Sequence, residues 1–216
     1  METGSTGEVS IHQEAFNDPG ETPLPMALEK IFRQQNIPLN SLAHVFINRG
    51  PGSYTGIRMA LAAAQGLSLA ADCHAGLSFH FCTTLDVLEW RLSQEAENPG
   101  IVAVGTYAQQ KQVIVRWLTP NPNDGAADNK GDQIIDTADL IEMLGKMNGR
   151  ITGPDMEKHL PEEFLSAITP EARDLFSAPS NQVEADTLHQ VEPVYVRIQE
   201  FVKAPPAQFS GLPGGE

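Results

Sequence analysis

Cysteine is scarce in this chain of 216 residues, where Cys73 and Cys82 are the only two. They form no CxxC pair and have no histidine at zinc-ligand spacing. This argues against a zinc module and predicts inert, structural thiols in a reducing compartment. Long apolar runs are missing too. The most apolar stretch, Met59 to Ala71, is interrupted by Gln65 and Ser68, so nothing approaches membrane-spanning length. Met1 to Ser5 has neither a basic nor an apolar region, so no signal peptide is predicted and the expected location is cytoplasmic. Positive charge is also in short supply, with 14 basic against 28 acidic residues and a formal net charge of −14. A field of that sign repels phosphate backbones, so any nucleic acid involved is expected to be held by another subunit.

What remains is enough for a core. A hydrophobic content of 41% supports one large domain or two small lobes. Val9 to Phe16 reads as a strand stopped by Asn17-Asp18-Pro19-Gly20. Thr22 and Pro23 then open a helix over Leu24 to Gln35, with Leu24, Leu28, Ile31 and Phe32 on one face. After Asn36-Ile37-Pro38, Ser41 to Asn48 reads as a strand whose Val45, Phe46 and Ile47 suit burial on both faces. A glycine turn, a helix through Ala71, a strand over Ala75 to Phe79 and a helix over Thr83 to Arg91 complete a βαβ-type unit. The polar, turn-rich Glu95 to Gly100 marks a lobe boundary, giving residues 1–97 and 98–202. In the second lobe, Ile101 to Tyr107 and Gln112 to Leu118 form a hairpin, and Thr119 to Gln133 a polar loop. Asp139 to Met147 is a helix, Ile151 to Asp155 a strand end with its turn, and Met156 to Leu165 a further helical piece. The tail, 203–216, is Pro- and Gly-rich and is expected to be disordered.

The segment Gly50-Pro51-Gly52-Ser53-Tyr54-Thr55-Gly56 holds the densest cluster of special residues. Its glycines permit close backbone approach, Pro51 stiffens the turn, and Ser53 or Thr55 can cap the next helix. N–H groups at that helix start can accept an anion. It is not a P-loop, because Ile57-Arg58 stands where Lys-Ser/Thr is needed, and its GxGxxxG spacing misses the dinucleotide fingerprint. Spacing alone favours a tight strand-to-helix turn. The helix behind it is small-sided at Ala60, Ala63, Ala64, Gly66 and Ala70, with apolar bulk at Ile57, Leu61 and Leu67. Small residues let another helix approach closely, so one face is expected on a sheet and another at a subunit interface.

Asn48 to Leu67 resembles the hallmark of the TsaB family, also called YeaZ, in which GPGSFTG-(L/I)-R precedes a small-residue helix. Tyr54 and Gln65 depart mildly from that pattern. Thr152-Gly153-Pro154-Asp155 resembles the family's GDG-like turn, and Glu192-Pro193-Val194-Tyr195-Val196-Arg197 its terminal EPVYLR signature. The resemblance covers nearly the whole chain. It implies an α/β fold of two actin/Hsp70-like (ASKHA, ribonuclease H-like) lobes with mixed sheets and packed helices. The N-terminal lobe is expected to be shortened, since the usual first strand before the Asp-Thr-Ser-Thr turn has no counterpart. Function by resemblance is that of a non-catalytic scaffold and activator in the modification of tRNA with threonylcarbamoyladenosine. The partners it implies are the catalytic paralogue TsaD and the ATPase TsaE, with a homodimer when alone and tRNA contacted only indirectly. The partner surface is expected at Leu24, Leu28, Ile31, Ile57, Ala60, Ala63, Ala64 and Leu67.

Two alternatives come from other classes. A metal-dependent glycoprotease-like peptidase would carry the catalytic paralogue's HxxxH pair, and His74 and His80, six apart, do not match it. An ASKHA-type ATP-binding phosphotransferase needs phosphate loops in both lobes, and the first turn is truncated. Ser53 and Ser78 lack a GxSxG signature. No catalytic residue, metal ligand or cofactor is therefore assigned.

Overall fold

The computed structural model describes residues 24–71, 77–95, 100–108, 111–119, 131–168 and 170–194. The predicted strand at Val9 to Phe16, its turn, His74 and the tail lie outside the described residues. Two mixed sheets with packed helices make up the fold, as expected.

The first sheet follows from one βαβ unit. β1 (His44–Asn48) pairs in parallel with β2 (Ser78–Cys82), and α2 (Tyr54–Ala71) connects them. Because side chains alternate along a strand, Val45, Ile47, Phe79 and Phe81 share one face. There they pack with Ile57, Leu61 and Ala64 of α2 and with Leu188. β7 (Asn181–Val183) adds antiparallel to β2. α1 (Leu24–Gln34) lies against α2 and buries only Ala27 fully. The other face of β1 is covered in part by α5 (Asp174–Ser177), whose Phe176 meets Phe46 edge-on. The apolar run at 45–47 is thus contacted on both faces, as its composition implies.

The second sheet has the order β5 (Gln133–Asp136), β4 (Gln112–Trp117), β3 (Ile101–Tyr107), β6 (Arg150–Thr152). Its strands are antiparallel except for the β3–β6 pair. α4 (Thr137–Met147) covers one face, placing Leu140 and Leu144 among Ala103, Val113, Val115 and Ile151. α3 (Thr84–Ser93) covers the other with Leu85, Leu88 and Leu92 against Ile101, Val104 and Ile114. Val87 of the same helix turns towards Cys82 and Ala178, so α3 is shared by both sheets. It starts on a capping box: the Asp86 N–H donates to the Thr83 hydroxyl and the Thr83 N–H to the Asp86 carboxylate, satisfying two otherwise orphaned donors. Arg116 of β4 then clamps the helix, reaching Asp86 at 2.8 Å, Glu89 at 3.1 Å and Asp132 at 2.7 Å.

Several boundaries differ from expectation. β2 runs from Ser78, where pairing with His44 begins, to Cys82, three residues past the expected end at Phe79, and the expected start at Ala75 lies outside the described residues. Met156 to Leu165 is not one helix but two 3-10 turns, Met156–Lys158 and Glu162–Phe164. Pro161 between them removes a donor and breaks α-helical propagation. The region read as a polar loop ends in β5, a strand that β4 pairs into existence.

Candidate functional site

The glycine turn is tied down from three sides. The Arg49 N–H donates to the Cys82 carbonyl at 3.0 Å, and the Gly50 N–H to the Asn48 side chain at 2.9 Å. Thr84, at the start of α3, donates its N–H to the Gly50 carbonyl at 2.9 Å and its hydroxyl to the Pro51 carbonyl at 2.6 Å. Asn48 completes the tie by donating to the Thr84 hydroxyl at 3.0 Å. From the third side, the Val194 N–H donates to the Arg49 carbonyl at 2.8 Å. The 48–67 hallmark therefore meets the described part of the terminal signature in space. Tyr195 to Arg197 lie outside the described residues.

Gly50 has to be glycine for two reasons. Its φ is +105°, and an added Cβ would stand 2.6 Å from the Val194 carbonyl oxygen and 2.8 Å from Ile57 Cδ1. The Gly50–Pro51 peptide is cis, and both residues are buried. Gly52, Ser53, Tyr54 and Thr55 are exposed, and Gly56 is half-buried. Of the two predicted caps, Ser53 serves: its hydroxyl accepts from the Gly56 N–H at 3.3 Å, and its carbonyl from the Ile57 N–H at 2.9 Å. The Arg58 guanidinium lies 4.3 Å over the Tyr54 ring. Buried Cys82 lies behind the turn. Burial, then the charge of Asp86, pushes its thiol up to about 11, so it stays protonated and unreactive at neutral pH.

The second feature is a groove of about 510 Å³ between α1 and α2. Leu28 and Phe32 form one wall, Met59, Ala62, Ala63, Gly66 and Leu67 the other, and Leu39 one end. Glu29 and Arg33, joined at 2.7 Å, stand at its rim. α2 thus has two faces, as its composition suggested. Ile57 (7% exposed) and Ala64 (2%) are core residues, and Ala60 packs beside them. Leu28, Ala63 and Leu67 line the groove, while Leu24 and Ile31 are half-buried on α1. Phe32, Leu39, Met59, Ala62 and Gly66 were not singled out for this surface from the sequence. The signal was present for three of them, since Phe32 stands four residues from Leu28, and Met59 and Gly66 four and three residues from Ala63. Nearby, Leu69 is 73% and Met26 61% exposed.

Among the described residues no group of three or more His, Cys, Asp or Glu comes close enough to hold a metal. The Ser78 hydroxyl meets the Gln182 amide at 3.4 Å. No helix among the described residues is long and apolar enough to cross a membrane.

The model of the family described as TsaD: tRNA N6-adenosine threonylcarbamoyltransferase matches residues 21–174. The chain belongs to this family. Within the TsaD family, the TsaB/YeaZ resemblance read from residues 48–67 is borne out. The tRNA threonylcarbamoyladenosine biosynthesis protein TsaB of Buchnera aphidicola subsp. Baizongia pistaciae (strain Bp) is 27% identical over 199 residues, covering 87% of each chain. Among solved structures, YeaZ from Pseudomonas aeruginosa is similar with a TM-score of 0.53 and 19% identity, over 86% of this chain and 88% of that one. A second, described as an uncharacterized protein with similarity to peptidase YEAZ from Pseudomonas aeruginosa, has a TM-score of 0.50 and 22% identity over 81% and 82%. These two likenesses speak for the fold, and the expected ASKHA-type α/β class is borne out.

Proposed function

We propose that this chain acts in the biosynthesis of threonylcarbamoyladenosine in tRNA as a non-catalytic subunit that binds and activates TsaD. The observation that carries this reading is the α1–α2 groove, whose apolar lining and small-residue wall at Ala62, Ala63 and Gly66 leave room for the close approach of another helix. Family membership and the TsaB relative support the pathway. The net charge of −14 supports an indirect role towards tRNA, with the nucleic acid held by TsaD. TsaE as third component, a cytoplasmic location, a homodimer through the same groove when alone, and a division into lobes at residues 97 and 98 belong to the same reading.

Reconstituted transfer of threonylcarbamoyl from its adenylate to tRNA adenosine, by purified TsaD and TsaE, tests this role. Addition of the chain is expected to raise product formation, and Ala63→Arg to abolish that rise. Equal product with and without the chain would sink the reading.

A further inference from the structure

Away from the groove and the glycine turn, two histidines come together on the opposite face of the first sheet. Phe46 of β1 pairs with His80 of β2, so His44, two residues earlier on the same face, is the diagonal neighbour of His80. His44 Nδ1 and His80 Nε2 lie 3.1 Å apart. Phe46 stacks on the His80 ring at 4.5 Å and 13°, and Phe176 braces Phe46 edge-on at 5.1 Å. The His80 ring is thereby held in place, while His44 is exposed and open to water.

We propose that His44 Nδ1 and His80 Nε2 form a two-histidine chelate for a late first-row divalent cation such as zinc, nickel or copper(II), with water completing the shell. Metal–nitrogen bonds of about 2.0–2.1 Å place two cis nitrogens about 3.3 Å apart in tetrahedral and about 2.9 Å apart in square-planar coordination. The observed 3.1 Å falls between these, so the two nitrogens already stand at chelating distance, and a turn of the rings that aims both lone pairs at one point beside the N···N line completes the geometry. Binding replaces one N–H···N hydrogen bond by two metal–nitrogen bonds, and the donating ring carries its proton on its other nitrogen instead. No third His, Cys, Asp or Glu joins among the described residues, which is why the remaining positions fall to water.

Untagged full-length protein is titrated with zinc chloride and with nickel chloride by calorimetry at neutral pH. One ion per chain is expected, with the binding heat lost in His44→Ala and in His80→Ala and kept in His189→Ala. In the wild type, substoichiometric nickel is expected to broaden the imidazole proton resonances of His44 and His80 before those of any other histidine. This second readout needs no variant to fold. Absence of heat in the wild type, undiminished heat in His44→Ala, or earlier broadening at another histidine overturns the proposal.

Discussion

α2 and α4 are both helices packed on a sheet, yet they meet their surroundings differently. α4 places Leu140 and Leu144, both fully buried, into a closed core. α2 closes only one side: Ile57, Leu61 and Ala64 face the sheet, while Met59, Ala63 and Leu67 line an open groove against α1. The second sheet is built for stability within the chain, whereas the α1–α2 flank keeps apolar surface in water, where it costs free energy until something covers it.

Predictions can press on this difference, starting from the largest effect. Leu144→Ala empties a closed core and should lower unfolding free energy by about 2–5 kcal/mol, read from urea titration. Leu28→Ala on the groove wall should cost well under half as much in the isolated chain, and a comparable loss at both sites would break the contrast. Gly50→Ala comes next. The strained φ and the overlap with the Val194 carbonyl should cost roughly 1–3 kcal/mol and loosen the tie between the glycine turn and residue 194, visible as faster amide exchange at Val194.

Gly66→Ala runs the other way. Nothing lies within 4 Å of the added Cβ, so removing a mid-helix glycine should stabilise the monomer by about 0.5–1 kcal/mol while narrowing the groove. Weaker association together with higher stability in that variant would separate the two faces of α2 cleanly. The smallest effect concerns pH. Burial opposes the charge of Asp86, but hydrogen bonds from Arg116 and Thr83 outweigh it and hold its carboxyl below the usual carboxylate range. With the folded value depressed, this contribution is present above the ordinary carboxylate pKa and is lost as pH falls through the folded value. Asp86→Asn should therefore flatten the acid limb of stability against pH below about 4, and an unchanged limb would remove Asp86 from the account.

Much of the fold was legible because local signals agreed with tertiary demand. The periodic stripe of α1, the small-residue run of α2, the hairpin of β3 and β4, and Thr83 ahead of α3 all carry their own chemistry. β5 was not legible, since Gln133-Ile134-Ile135-Asp136 is strand only by pairing with β4, and Ile134 remains 52% exposed. The glycine turn was visible as a motif, but its anchors were not: Thr84 lies 33 residues beyond Pro51, and a hydrogen bond across that separation leaves no periodic trace. The groove was legible as a helix suited to close packing. Which of its residues face outward depended on where the sheet sits, and this removed Ile57 and Ala64 from the accessible surface while adding Met59 and Gly66.

The central claim is that the α1–α2 groove is a docking surface for TsaD. Light-scattering mass of the purified chain with and without TsaD, repeated on Ala63→Arg, tests it most directly. The account predicts a heterodimer mass for the wild type and separate subunits for the variant, with unchanged circular dichroism. A wild-type chain that ignores TsaD, or an Ala63→Arg chain that binds it equally well, would contradict the claim.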